Sequence, residues 1–239
     1  MTHVVAVVPA HNQIQSISAT VKALLGLEEL GEVVVVDDGS TDGTGEAARE
    51  AGARVISLPK NLGKGGAVSK AVGASGAPDG YLLIDADLSS SASHAKVLLE
   101  MLTSDAADMI VSVFPKAGRS RGYGIVKRMA NRILLSATGR SFEEPLSGQR
   151  AIKGPLLRSL NLASGFGLEV GMTLDVAAKN ARILEAEVPF IHRASGRNIA
   201  GFIHRGIQGA DLLKAAASRL GWRSTLAAVV KIPFTGEWK

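Results

Sequence analysis

The chain has 239 residues, of which 46% are hydrophobic, and it contains no cysteine. This length allows a substantial core and favours one α/β domain with a tail. The absence of cysteine excludes disulfides and zinc–thiolate sites. No apolar run reaches the roughly 18 residues of a membrane-spanning helix, and the first residues do not resemble a signal peptide, which together favour a cytoplasmic protein.

The net charge of +5 is distributed unevenly along the chain. Residues 1–113 carry 7 Lys/Arg and 14 Asp/Glu, a net −7, whereas residues 114–239 carry 20 and 8, a net +12. An acidic half that holds a metal and a basic half that holds phosphates would explain this division, and a solvated basic face is the alternative. Nucleic acid is not an expected partner, because only 4% of the residues are aromatic and no basic-aromatic stretch offers a stacking surface.

The first 113 residues alternate between apolar strands and helices. The predicted strands are Val4–Pro9, Glu32–Val36, Ala53–Leu58, Gly80–Ile84 and Asp108–Val113. The predicted helices run from about Ile14 until Leu30-Gly31 closes the pattern, from the caps at Ser40-Thr41-Asp42 to Ala51, from Gly63 to Ala74 and from Ser93 to Leu102. Near-continuous Val/Ile/Leu strands separated by helices predict a mostly parallel sheet covered on both faces.

After residue 113 the pattern changes to a basic loop followed by mixed elements. We predict helices at Ile125–Leu135, around Pro155–Leu160, at Glu169–Asn180 and at Ala210–Leu220, and strands at Gln149–Lys153 and Ile183–Ile191. Residues 196–209 are polar and are predicted to be irregular.

Two carboxylates, Asp85 and Asp87, directly follow the apolar strand that ends at Ile84. On an extended segment, residues two apart point the same way, and the repulsion between two close carboxylates is relieved by a divalent cation. Ligands bind at the carboxyl ends of parallel strands, where such a metal would neutralise a diphosphate. Ordinary loop acids are the alternative.

A second acidic pair, Asp37 and Asp38, ends the Val-rich strand and precedes the helix start at Ser40-Thr41-Asp42. Its carboxylates are suited to accept hydrogen bonds from a nucleotide base or ribose, while the helix N-terminus favours anions. Helix capping alone would explain the Ser, Thr and Asp that follow, but not the pair itself.

The glycine-rich segment Asn61–Ala67 contains Lys64 and lets the backbone approach a ligand closely. It lacks the spacing of a phosphate-binding P-loop, so a P-loop ATPase is disfavoured. A tight turn without a ligand is the alternative.

The order of these segments resembles that of the family 2 glycosyltransferases, which have the GT-A fold. The matching stretches are Val7–Asn12, Val35–Asp42, Asn61–Ala67 and Asp85-Ala86-Asp87. The resemblance implies a nucleotide-sugar donor bound near Asp37, Asp38 and Lys64, in a pocket lined by Pro9, Ala10 and Asn12. It also implies that Asp85, Ala86 and Asp87 contact the donor, and that the two carboxylates hold Mg²⁺ or Mn²⁺ on its diphosphate.

Later segments resemble those of polyprenyl-phosphate sugar synthases and of glucosyl- or mannosyl-phosphoglycerate synthases. In Ser147-Gly148-Gln149-Arg150, the resemblance implies that Arg150 faces a phosphate. It also implies that His192 is a third metal ligand, with a structural histidine as the alternative. Glu169 is expected to contact the sugar or acceptor or to act as a base, with a helix-start acid as the alternative.

The expected function is therefore metal-dependent transfer of a sugar from a UDP- or GDP-sugar to a phosphate-bearing acceptor. Polyprenyl phosphate is the favoured acceptor and phosphoglycerate the alternative. Residues 1–113 would bind the donor, residues 114–209 would face the acceptor, and residues 210–239 would form a basic amphipathic tail. That tail would lie on the inner face of the membrane, pack on the domain or mediate a homodimer.

Three other functions are weighed against this one. A nucleotidyltransferase would show a Gly-rich basic loop directly after the first strand, where this chain has Pro9-Ala10-His11-Asn12. A processive polysaccharide synthase would show a Gln-X-X-Arg-Trp element, which the sequence lacks. A non-catalytic nucleotide-sugar-binding module remains an alternative, although it would have no need for both Asp85 and Asp87.

Overall fold

The computed structural model describes residues 3–114, 124–191 and 199–230, with side chains of the last segment described from residue 209. The strands are β1 (Val4–Ala10), β2 (Leu30–Asp37), β3 (Arg54–Ser57), β4 (Gly80–Leu83), β5 (Met109–Val113), β6 (Arg150–Lys153) and β7 (Ile183–Glu187). The α-helices are α1 (Ile17–Leu25), α2 (Thr44–Glu50), α3 (Gly63–Ala74), α4 (Lys96–Thr103), α5 (Gly124–Thr138), α6 (Gly154–Arg158), α7 (Leu168–Ala178), α8 (Ile199–Leu220) and α9 (Trp222–Val230).

The seven described strands form one sheet in the order β3-β2-β1-β4-β6-β5-β7. Strand β6 runs antiparallel to both β4 and β5, and the other pairings are parallel. This arrangement confirms the mostly parallel α/β sheet expected from the sequence. The carboxyl ends of β1, β2 and β4 therefore open onto one edge of the sheet, where ligands bind in open α/β folds.

Both faces of the sheet are covered by helices, because its central strands are apolar on both sides. One core contains side chains of α1, α2 and α4 packed on residues such as Val8 and Leu82. The other contains side chains of α3, α5, α7, α8 and α9 packed on residues such as Val7 and Leu83. Alternate residues of one strand thus enter opposite cores, as the period of two in a β-strand requires.

Most predicted elements occur within a few residues of their expected bounds, and the differences are local. Helix α1 ends at Leu25 with Gly26 as its C-cap, so Leu30 begins β2 instead of closing the helix. The turn before α4 is a 3₁₀-helix, Ser89–Ala95, and β7 ends at Glu187, four residues before the predicted end. Helix ends are the least determined part of a pattern, because capping and packing compete there.

The prediction of an irregular segment at residues 196–209 is wrong from Ile199 onward, where α8 begins. Three glycines, Gly201, Gly206 and Gly209, lower the local helix propensity and hid the helix in the sequence. Once the following turns are anchored by packing, each further residue adds a backbone hydrogen bond without a new nucleation cost. Helix α8 therefore runs through the expected boundary between residues 209 and 210.

The tail packs on the domain through part of its apolar surface. Leu212 and Ala216 of α8 and Ala228 of α9 are buried in the same core as α5 and α7. Arg219 donates from Nε and Nη2 to Asp175 of α7 at 2.7 Å each. Within the described part of the chain, no helix is both long and apolar enough to cross a bilayer.

An ion network ties together the strands at the far edge of the sheet. The carboxylate of Asp108, just before β5, accepts hydrogen bonds from the backbone nitrogen of Arg182 at 2.7 Å and from Lys153 Nζ at 2.7 Å. The Arg182 side chain also donates to Asp108. These hydrogen bonds from Arg182 and Lys153 lower the pKa of Asp108 well below its usual range, against the opposing effect of burial.

We predict that Asp108→Asn lowers the free energy of unfolding by about 2 kcal/mol at pH 7. Because the pKa of Asp108 is lowered in the folded state, its contribution is present at neutral pH and is lost as the pH falls below about 4. The difference in free energy of unfolding between the variant and wild type, measured by urea unfolding, should therefore be smaller at pH 3 than at pH 7. The exposed Glu28, changed to Gln, is the control; a pH-independent difference for Asp108→Asn would contradict the prediction.

We also predict that Leu212→Ala destabilises the whole chain by about 2–5 kcal/mol, because it leaves a cavity in the core that α8 shares with α5 and α7. Leu226 of α9 is 49% exposed, and Leu226→Ala should cost less than about 0.5 kcal/mol. Thermal unfolding of both variants checks this. Equal small effects would show that the tail does not contribute to the stability of the domain.

Candidate nucleotide-sugar site

The loops after β1 and β2 are joined by hydrogen bonds at the carboxyl edge of the sheet. The backbone nitrogen of Asn12 donates to Ser40 Oγ at 3.0 Å, and the backbone nitrogen of Thr41 donates to Asn12 Oδ1 at 3.0 Å. Asn12 adopts a positive φ of 53°, which asparagine tolerates better than most residues. The backbone nitrogen of Asp38 donates to Ala10 O at 2.8 Å, next to Pro9 at the end of β1. The predicted pocket residues therefore share one rim.

Asp37 and Asp38 hold this rim through their carboxylates. Asp37 Oδ1 accepts from the backbone nitrogen of Ser40 at 3.0 Å, which shapes the turn into α2. Asp38 is 4% exposed, and its Oδ1 accepts from the backbone nitrogen of Leu62 at 2.7 Å. The bond to Leu62 links β2 to the start of α3. The two acids thus organise the loops around the site, and the predicted contacts to nucleotide would be additional.

The centre of the site is a lysine placed between two carboxylates. Nζ of Lys64, in the first turn of α3, lies 2.5 Å from Asp85 Oδ1 and 2.8 Å from Glu169 Oε1. Burial disfavours the ammonium, but the charges and hydrogen bonds of Asp85 and Glu169 outweigh it and raise the pKa of Lys64 above its usual value. Lys64 is therefore a permanent cation that joins α3, the end of β4 and the start of α7.

Two residues that the sequence did not single out complete this cluster. Gln149, which is fully buried, donates from Nε2 to Asp85 Oδ2 at 2.6 Å. A Cβ atom on Gly148 would collide with Lys64 Nζ and with the Asp85 carboxylate, so only glycine fits here without displacing the pair. Both lie in the Ser-Gly-Gln-Arg element, but its sequence gave no sign that they, and not only the arginine, meet the Asp85 loop.

The last residue of that element, Arg150, is buried and fully engaged within the protein. It is 1% exposed. Its guanidinium donates to the carbonyl oxygens of Ser147 at 2.9 Å, Glu169 at 3.0 Å and Pro145 at 3.2 Å, and to Thr173 Oγ1 at 2.9 Å. Burial lowers the pKa of Arg150 to about 10, against the opposing effect of Glu169 and Glu185. In this conformation Arg150 supports the loop and α7.

Asp87 lies one residue beyond the buried Ala86 and is partly exposed at the rim. The loop that carries it is fixed to α1, because Thr20 Oγ1 donates to Ala86 O at 3.0 Å and accepts from the backbone nitrogen of Ser89 at 2.9 Å. The third predicted metal ligand, His192, lies outside the described residues. Among residues 3–114, 124–191 and 209–230, no three His, Asp or Glu side chains are grouped to hold a metal.

The strands and loops that form this edge of the sheet lie within a segment that matches a known protein family. The sequence profile described as Glycosyl transferase family 2 matches residues 5–153. The chain belongs to this family. The structure of glucosyl-3-phosphoglycerate synthase from Mycobacterium tuberculosis matches 92% of the chain, which confirms the expected GT-A architecture.

Two relatives of this family 2 chain are glycosyltransferases from an archaeon and a bacterium. It is 30% identical to glycosyltransferase AglJ of Haloferax volcanii over 79% of this chain and 63% of that protein, so it spans less than two thirds of this relative. It is 27% identical to undecaprenyl-phosphate mannosyltransferase of Micrococcus luteus over 82% of this chain and 86% of that protein.

Solved structures of glucosyl-3-phosphoglycerate synthase from Mycobacterium tuberculosis match the family 2 chain closely. A complex with Mn²⁺, UDP-glucose and phosphoglyceric acid has a TM-score of 0.77 at 26% identity, covering 92% of this chain and 80% of that one. A complex with Mg²⁺ and UDP has a TM-score of 0.78 at the same identity and coverage.

We predict that Arg150→Met lowers the free energy of unfolding by about 3 kcal/mol or more, because buried carbonyl groups lose their donors. Arg223→Met on the exposed face of α9 is the control and should change it little. Chemical unfolding measures both. A fully stable Arg150→Met chain that had lost affinity for a phosphate-bearing acceptor would instead support the phosphate contact implied by the resemblance.

Proposed function

We propose that this chain transfers a sugar from a nucleotide diphosphate, with UDP preferred over GDP, to a phosphate-bearing acceptor in the presence of Mg²⁺ or Mn²⁺. The observation that carries the proposal is the Lys64–Asp85–Glu169 cluster at the carboxyl edge of β1, β2 and β4. UDP is preferred because the synthase structures that share this fold contain UDP or UDP-glucose with one of these metals.

The donor would lie along the rim formed by the loops after β1, β2 and β4. Pro9, Ala10 and Asn12 would line the base and ribose end, with Asp37 and Asp38 behind them. These loops are already fixed to one another by hydrogen bonds, so little order would have to be gained on binding. Lys64 and the backbone at Ala86 would then face the diphosphate and sugar.

Asp87 is the residue we propose as the direct metal ligand, with His192 as a further one. Its carboxylate is a hard oxygen donor suited to Mg²⁺ and Mn²⁺, and it is partly exposed at the rim. The two oxygens of Asp85 are engaged by Lys64 and Gln149, so Asp85 would act mainly through Lys64. A bound metal would supply positive charge that stabilises the departing diphosphate.

Glu169 is ion-paired with Lys64 at 2.8 Å, an arrangement that disfavours a role as general base. A phosphate group that attacks the sugar is already ionised and needs no such base. This consideration supports polyprenyl phosphate, whose phosphate oxygen would form the new bond to the sugar. Phosphoglycerate is the second candidate, supported by the synthase complexes that contain phosphoglyceric acid.

The surface of α9 supports the lipid acceptor as well. Trp222, Leu226 and Val230 are spaced four residues apart on one face, and they are 57%, 49% and 78% exposed. With Arg223 beside them, these side chains would allow peripheral contact with an anionic membrane on the cytoplasmic side. A homodimer contact through the same face is the alternative.

The acceptor is tested by incubating the chain with UDP-glucose and Mn²⁺ and either undecaprenyl phosphate in detergent or 3-phosphoglycerate. A glucosylated lipid would support the first candidate, and a glucosylated phosphoglycerate the second. The donor is screened beforehand by the rise in melting temperature with UDP- and GDP-sugars, with EDTA as the metal-free control. No shift with any donor would favour a non-catalytic binding module.

We predict that Asp87→Asn reduces sugar transfer by at least about a hundredfold while the melting temperature stays within a few degrees of wild type, because a metal ligand is lost at a partly exposed position. Glu50→Gln, at the exposed end of α2, is the control. Product formation and thermal unfolding are measured on the same samples. Undiminished transfer by Asp87→Asn would reject the metal assignment.

A further inference from the structure

Gln149 is a buried amide that reaches the centre of the site from the opposite side to Lys64. It directly precedes β6, the one antiparallel strand of the described sheet, and it is 0% exposed. Its backbone carbonyl oxygen accepts a hydrogen bond from the backbone nitrogen of Ser112 at 3.0 Å, which attaches Gln149 to β5. Its side-chain Oε1 accepts from Ser147 Oγ at 3.2 Å, which fixes the orientation of the amide.

That orientation leaves Nε2 to donate to Asp85 Oδ2 at 2.6 Å, while Oδ1 of the same carboxylate receives Lys64 at 2.5 Å. Asp85 is therefore held from both sides and cannot turn about its side-chain bonds without losing one partner. Lys64 is shared with Glu169, so the position of its ammonium depends on where Asp85 is fixed. Hydrogen bonds to charged groups are the stronger ones, which makes this arrangement stiff.

We propose that Gln149 is a positioning residue for the donor: through Asp85 it sets the place of the Lys64 ammonium that faces the diphosphate. This inference rests on the proposed function. The amide suits the role because it donates to a carboxylate without adding charge. A glutamate would bring a second carboxylate against Asp85, and methionine would have similar length but no donor. Gly148 lets the loop approach closely enough for the bond to form.

The first experiment is Gln149→Met, which keeps side-chain length and removes the hydrogen bond. Binding of UDP with Mn²⁺ is measured by calorimetry, and kcat and KM are measured with UDP-glucose. We expect the Kd for UDP and the KM for the donor to rise about tenfold, the scale of one lost hydrogen bond to a charged group. The KM for the acceptor should stay close to that of wild type, and the melting temperature should fall by several degrees, because a buried hydrogen bond is also lost from the folded state.

A matched control makes the same substitution at Gln15, which is exposed before α1. Gln15→Met should leave all of these values unchanged. Unchanged UDP affinity in Gln149→Met, with wild type binding normally, would overturn this inference and leave the proposed function standing. If wild type itself bound no UDP with Mn²⁺, the proposed function would fail and this inference with it.

A double variant, Asp85→Asn with Gln149→Glu, decides the matter if Gln149→Met does not fold. The pair reverses the direction of the hydrogen bond, keeps an oxygen at residue 85 for Lys64 and leaves the net charge unchanged. We expect each single substitution to weaken binding of UDP with Mn²⁺ by about tenfold or more, and the double variant to bind several-fold more tightly than either single one. A double variant no better than the weaker single one would overturn the proposal.

Discussion

The site depends on the ion pairs that the ammonium group of Lys64 makes with two carboxylates. This group joins three elements that are distant in sequence: α3, the end of β4 and the start of α7. Two carboxylates that lie close together repel each other, and a buried cation between them offsets this electrostatic repulsion. Asp85 and Glu169 can therefore lie near each other in the folded chain before any ligand or metal is bound.

The residues around Lys64 show how closely the surrounding backbone is fitted to it. Gly148 lies where a side chain would collide with Lys64, and Gly65 lies where a side chain would collide with the carbonyl of Ala163. Arg150 connects the loop before β6 to α7 by donating to the carbonyl oxygens of Ser147 and Glu169. A buried arginine with satisfied donors stabilises a loop that has few apolar side chains of its own.

The donor and acceptor regions that we propose depend on different parts of this framework. The rim that we propose for the donor is built from short loops attached to the central strands, and its hydrogen bonds lie between residues 10 and 62. The acceptor side that we propose would be formed by α5, α8 and α9, whose buried side chains lie in one core with those of α3 and α7. Under this proposal, changes in those helices would leave the donor rim intact, and relatives of the chain include an undecaprenyl-phosphate mannosyltransferase and a glucosyl-3-phosphoglycerate synthase.

The sequence by itself determined the strand–helix order, the mostly parallel sheet and the acidic ends of β2 and β4, because strand and helix periodicities are local properties. Its motifs also indicated the family. It did not reveal that β6 is antiparallel, that α8 begins at Ile199, or that Gln149 meets Asp85. The motif drew attention to Arg150 but did not show that its guanidinium donates to carbonyl groups of the preceding loop and of α7. Those facts depend on contacts between residues far apart in the chain, which only the tertiary structure decides.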